Sequence, residues 1–168
     1  MPVSLYDISV PVFIRGLQNL GAVLEKGRAF AKEKGIGDEE LAAARLYPDM
    51  FPLTGQIQRA SDTARFAAVR VAGVEALAMA DEEKNFDDMQ ARIRATVDYL
   101  KKVEASAFDG TEDREVVMKM RTGELRFTGT SYILQFALPN FFFHVTTAYD
   151  ILRNRGVPLS KGDFLRGG

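Results

Sequence analysis

One stretch constrains this chain more than any other. From roughly Thr130 to Arg155 the residues carry two apolar stripes at helical spacing instead of one. Ala137, Phe141, His144, Ala148 and Ile151 form one seam, and Leu134, Leu138, Phe142, Val145, Tyr149 and Leu152 form the other. A helix that is apolar nearly all round has to be buried nearly all round. In a small bundle each helix normally keeps one wet face, so the second stripe needs a cover. The hairpin and C-terminal tail are one candidate, and a second subunit related by a two-fold axis is the other. The expectation is a homodimer through this last helix, with intramolecular cover as the alternative.

The preceding segments supply the wrapping. Val10, Phe13, Leu17, Leu20 and Leu24 recur at three- and four-residue steps, the seam of an amphipathic helix that stops near Lys34-Gly35. Ser4 with Asp7 resembles a capping box; a start capped by Ser9, with Pro11 in the first turn, is the alternative. Asp38 to Arg45 forms a short helix with acids at its positive end. The turn Leu46-Tyr-Pro-Asp-Met-Phe-Pro52 leads into a second long helix whose stripe is Leu53, Ile57, Ala60, Ala64, Ala67 and Val71, ending at Gly73. Its small residues predict close helix approach. Asn85 with Asp88 caps a third helix carrying Phe86, Met89, Ile93, Val97 and Leu100. The period then changes to two: Glu115 to Met120 and Glu124 to Thr128 flank Arg-Thr-Gly as a small hairpin. Two strands are not stable alone, so the hairpin must pack on helices. The fold expected is all-α, a four-helix bundle with a β-hairpin inserted before the last helix, in one domain over residues 1–168.

Charge and composition exclude several function classes. The 168 residues include 22 basic and 23 acidic side chains, a formal charge of −1 with no dense Lys/Arg cluster. Nucleic acid would need a basic face, and so would an anionic membrane surface. With no cysteine there is no disulfide, thiolate metal site or cysteine nucleophile. No signal peptide or apolar run of membrane-spanning length stands out, and the expectation is a soluble, cytoplasmic protein.

Candidate chemistry centres on His144, the only histidine, five residues after Pro139 in the most apolar helix. Its place on a seam points the imidazole inward, where burial lowers its pKa unless a carboxylate compensates. Pro139 removes one helical donor and crowds the carbonyl of Gln135, so the helix is expected to deform about a turn and a half from His144. Gln58 and Asp62, with Arg65, share a polar face of the second helix and are expected to look across toward His144. Asp49, in the two-proline turn, is expected to pair with Arg45, and Tyr149 to place its hydroxyl at a pocket edge. Each has a plain structural explanation beside the functional one: a hydrogen-bonded core histidine, a solvated helix face, a rigid turn, a half-buried ring. A firm metal site needs about three protein ligands, and no second histidine is available. No nucleophile elbow and no phosphate-cradling glycine loop is present.

Leu5-Tyr-Asp-Ile-Ser-Val-Pro-Val-Phe-Ile-Arg-Gly-Leu17, Ala44-Arg-Leu-Tyr-Pro-Asp-Met-Phe-Pro-Leu53, Leu138-Pro-Asn-Phe-Phe-Phe-His-Val-Thr-Thr-Ala-Tyr-Asp-Ile-Leu-Arg153 and Gly156-Val-Pro-Leu-Ser-Lys-Gly-Asp-Phe-Leu165 are more specific. Together they resemble the bacterial family called domain of unknown function nineteen-ninety-three, a branch of the DinB-like, YfiT-like bundles. The resemblance covers almost the whole chain. It implies an up-down-down-up four-helix bundle, often dimeric, grouped with metal-dependent enzymes. Metal-binding relatives use three histidines, one on the second helix and a pair spaced by four on the last. His144 matches the first of that pair; Ala148 stands at the second, and Gln58 is nearest to the second-helix position. The expected function is therefore small-molecule binding or a structural role around a degenerate metal pocket lined by His144, Asp49, Gln58, Asp62 and Tyr149, with no cofactor. The alternative is a transferase or hydrolase using one divalent metal, such as zinc or nickel, at His144.

Overall fold

A computed structural model describes residues 3–166. The elements follow the apolar periodicity: α1 (Val10–Lys34), α2 (Asp38–Ala42), α3 (Leu53–Ala67), α4 (Phe86–Leu100), β1 (Val116–Met120), β2 (Gly123–Phe127), α5 (Gly129–Ser131), α6 (Leu138–Asn154) and α7 (Lys161–Arg166). A π-helical turn, Ala68–Ala72, extends α3; another, Tyr132–Ala137, joins α5 to α6 in one continuous last helix. Ser9 is the residue before α1, with Pro11 in the first turn, and Gly35 ends that helix at φ 67°. Ser9 does not cap with its side chain, whose hydroxyl instead donates to the carbonyl of Leu5. Asn85 does cap α4, accepting from the Asp88 backbone at 2.9 Å. The short second helix is five residues long and stops at Ala42, before Arg45.

Cross-helix contacts fix the direction of every long helix. His144 meets Gln56, Asn140 meets Thr63, and Tyr132 meets Arg70, so α3 and the last helix run antiparallel. Gly16 packs on Phe141 and Gly27 on Leu152, so α1 and α6 are parallel. Gly21 faces Gln90 and Ile93 while Gly27 faces Phe86, which makes α1 and α4 antiparallel. Since α3 opposes α6, α4 opposes α1, and α1 and α6 are parallel, α3 and α4 run the same way, joined by the Asp62–Arg92 and Ser61–Thr96 bonds. The bundle is therefore up-down-down-up. Small residues set its tightest approach: a Cβ on Gly16 would lie 2.5 Å from the Phe141 ring. Phe141 in turn meets Phe13 edge-on at 5.0 Å, an arrangement that adds about 0.5–1.5 kcal/mol to simple burial.

Two parallel helices in sequence need a return path, and residues 74–85 provide it as an extended strap. The strap runs backward along both helices. Tyr99 donates to the Glu75 carbonyl, Arg65 to that of Leu77, and Arg92 to that of Ala80; Gln58 then meets Glu83 at 2.7 Å. Arg92, with its side chain only 1% exposed, is the central clasp. It reaches Asp62 at 2.7 Å, Glu83 at 2.9 Å, Asp81 at 3.1 Å and the Ser61 hydroxyl at 3.2 Å. Burial by itself would raise the Glu83 pKa, but hydrogen bonds from Gln58 and Arg92 outweigh it and hold Glu83 below the ordinary carboxylate value.

The hairpin is antiparallel, with Val116 opposite Phe127 and Met120 opposite Gly123. Its base docks on the bundle through Val116 and through Phe127, which packs edge-on against Tyr132 at 5.8 Å. The C-terminal segment covers the other end of the second stripe. Val157 and Leu159 are buried, and Phe164 meets Tyr149 at 6.0 Å. Intramolecular cover thus accounts for Val145, Tyr149 and Leu152, whereas Leu134 remains 49% exposed and Phe142 36%. Among the described residues no helix is long and apolar enough to cross a membrane.

Candidate functional site

His144 lies on the face of α6 that packs against α3, and it is 8% exposed. Its Nδ1 lies 2.8 Å from Oε1 of Gln56, a residue 1% exposed near the start of α3. The Gln56 amide is oriented by a second bond, in which Nε2 donates to the Phe51 carbonyl at 3.1 Å. The oxygen therefore faces the imidazole and accepts, which places the proton on Nδ1 of His144 and leaves Nε2 as a lone-pair acceptor. Among the described residues Nε2 has no protein partner, and it is not sealed from solvent.

The surroundings hold the ring neutral. Burial, and secondarily the positive charge of Arg59, lower the His144 pKa from 6.5 to about 4. Arg59 sits over the Phe51 ring at 4.9 Å and is held loosely by Asp62 and Asp81, each at 3.7 Å. One turn before His144, Asn140 donates to the Thr63 hydroxyl at 2.8 Å. Pro139 falls in the first turn of α6, immediately after the π-helical turn. The deformation expected from the proline thus takes the form of a widened turn instead of a break. The α3 extension is also π-helical, and Arg70 within it donates to the Tyr132 hydroxyl at 2.8 Å, tying the two widened turns together.

The predicted pocket residues do not converge. Gln58 and Asp62 turn away from His144 toward the strap: Gln58 donates to Glu83, and Asp62 accepts from Arg65 and Arg92. The reason is helical geometry. Gln56 and Gln58 are two positions apart, so they leave α3 on nearly opposite sides; the pairing with His144 goes to Gln56. Asp49 is exposed, and Arg45 donates to the Met50 carbonyl instead of to Asp49. Tyr149 packs against Phe164 on the far side of α6, away from α3. The residues that do meet His144 or its neighbours are Gln56, Arg59, Thr63 and Asn140. Spacing offered a signal for them, since Gln56, Arg59 and Thr63 recur at three- and four-residue steps beside the apolar stripe.

The donor set does not fit a three-histidine metal centre. His144 could offer an ion only Nε2, and the position four residues on, where a second ligand would stand, is the fully buried Ala148. Among the described residues no three His, Cys, Asp or Glu side chains are grouped to hold an ion. What the arrangement offers is one neutral imidazole acceptor beside one guanidinium, at the packed seam between α3 and α6.

Comparison with known proteins agrees with this architecture. The family described as Domain of unknown function (DUF1993) matches residues 5–165. A crystal structure of a DinB family member protein from Shewanella denitrificans is similar over 96% of this chain and 91% of that chain, at 34% identity and a TM-score of 0.90. No curated protein sequence matches this one.

Proposed function

Because the chain belongs to the family described as Domain of unknown function (DUF1993) and has the DinB-like fold, we propose that it is a small-molecule-binding member of that fold whose metal pocket is degenerate. A single observation carries this reading: His144 is held by Gln56 in the tautomer that presents an unprotonated, solvent-reachable Nε2. The neighbouring charge is Arg59. A matching ligand offers a hydrogen-bond donor to Nε2 and an anionic oxygen to Arg59. The last helix supports pairing of two copies through its N-terminal end, since Leu134 on its second stripe remains exposed after the chain's own cover is in place.

Metal analysis of purified protein is the first test. The reading expects less than stoichiometric metal, unchanged in His144→Ala. Stoichiometric zinc, nickel or manganese that disappears in that variant would overturn it in favour of a metal-dependent transferase or hydrolase. A fragment screen read through the His144 Nε2 nitrogen resonance is the second. Hits should shift that resonance and be lost in Arg59→Gln; a screen with no hit would leave His144 a purely structural residue. Sedimentation tests the pairing, which a monomer at tens of micromolar would refute.

A further inference from the structure

A concavity lies across α6 from His144, where α1, α6 and α7 meet. It has a volume of about 340 Å³ and is lined by Val12, Gly16, Phe142, Val145, Phe164 and Leu165, with Arg15 and Asn19 as its polar members. The glycine matters to its shape, because Gly16 lets the Phe141 ring fill the space a side chain would take and leaves the groove floor low. Asn19 donates to the Phe164 carbonyl at 3.1 Å and Arg15 to that of Leu165 at 3.3 Å, so both polar side chains hold α7 as the groove's outer wall. An ion pair between Lys26 and Asp163 secures the same wall from its other end. A mostly apolar cleft of this size with a few polar groups at one edge suits a small amphipathic ligand.

The charge pattern selects among such ligands. Arg15 is the only charged residue of the lining, no acidic side chain faces it there, and it forms no ion pair among the described residues. It uses one guanidinium nitrogen on the Leu165 carbonyl, and its remaining donors meet no other described residue. We propose that this groove is a binding site for an aliphatic monocarboxylate of medium chain length: the acyl chain lies along Val12, Phe142, Val145 and Phe164, and the carboxylate is met by Arg15. The site is separate from the one at His144, which faces α3 on the opposite side of the last helix.

Decanoate and its neutral counterpart decan-1-ol, titrated into the full-length protein by calorimetry and by backbone amide NMR, test the assignment. Decanoate should saturate one site per chain and shift amides at Val12, Phe142, Val145 and Phe164. Decanol should bind about five-fold more weakly, the worth of a good exposed ion pair. Arg15→Met, an exposed position unlike the core, should erase that preference while amide dispersion stays native. His144→Ala should bind decanoate as the parent does, which separates failure here from failure at the other site. Non-saturable binding, shifts confined to other faces, or an unchanged preference in Arg15→Met would each overturn the proposal. So would sedimentation showing the groove occupied by a second copy that decanoate does not displace.

Discussion

Lowering the pH from neutral to 4 should destabilise this protein through His144 in a way that can be isolated. The folded pKa is about 4 against 6.5 for an unperturbed ring. Between those values the unfolded chain binds the proton and the folded chain does not, so stability rises with pH across the window. The contribution is intact above pH 6.5 and is lost as pH falls through 4. With one pKa unit worth about 1.36 kcal/mol, the full cost is about 3 kcal/mol. The linkage relation places about 1.4 kcal/mol of it at pH 5.5 and about 2.6 kcal/mol at pH 4.5. Carboxylates titrate in the same range, so the measurement is a difference: urea unfolding of the parent and of His144→Gln at pH 7.5, 6.5, 5.5 and 4.5. The glutamine keeps a partner for Gln56 but has no proton to gain, and the carboxylate contributions cancel. The parent should lose ground to the variant by the amounts given. A difference that stays flat within about 0.5 kcal/mol, or an imidazole NMR titration centred at or above 6.5, would refute the geometry. Either result would mean that the ring meets open water or a carboxylate.

Three further perturbations probe other parts of the fold. Arg92→Leu takes the buried cation from Glu83, while Asp62 keeps Arg65, and should cost about 3 kcal/mol, with new protease cleavage within residues 74–85. Gln56→Leu strands Nδ1 of the imidazole; it should cost about 1–3 kcal/mol and change the tautomer read from the two ring-nitrogen shifts. Gly129→Ala places a Cβ 2.1 Å from the Thr111 carbonyl oxygen, so the last helix and the loop before the hairpin must move apart. The expected loss, at the upper end of overpacking costs of about 1–3 kcal/mol, should show as a lowered Tm.

The fold was legible because its information is periodic. The seams of α1, α3 and α4, the Asn85 cap and the switch to alternation at Val116 are local patterns, and each stands where the sequence places it. The site was harder to read. Helical spacing tells which side a residue leaves from, but not which neighbour lies on that side; Gln58 and Asp62 fit a polar face that turned out to serve α4 and the strap. Gln56 carries the bond to His144; its spacing with Arg59 and Thr63 marks a shared face but not the imidazole that the face meets. The strap was unreadable for a related reason: residues 74–85 have no period of their own and take their shape from carbonyls caught by Tyr99, Arg65 and Arg92.

That strap has a consequence for how the chain reaches its native state. Residues 53–100 hold two helices and the ribbon between them, with partners never far apart along the sequence, so this portion assembles at low loop-closure cost. The marriage of α1 with α6 spans more than a hundred positions and comes only after such a platform exists. Transition-state mapping by substitution should therefore find Ser61, Arg92 and Thr96 engaged early, and Phe13 with Phe141 late.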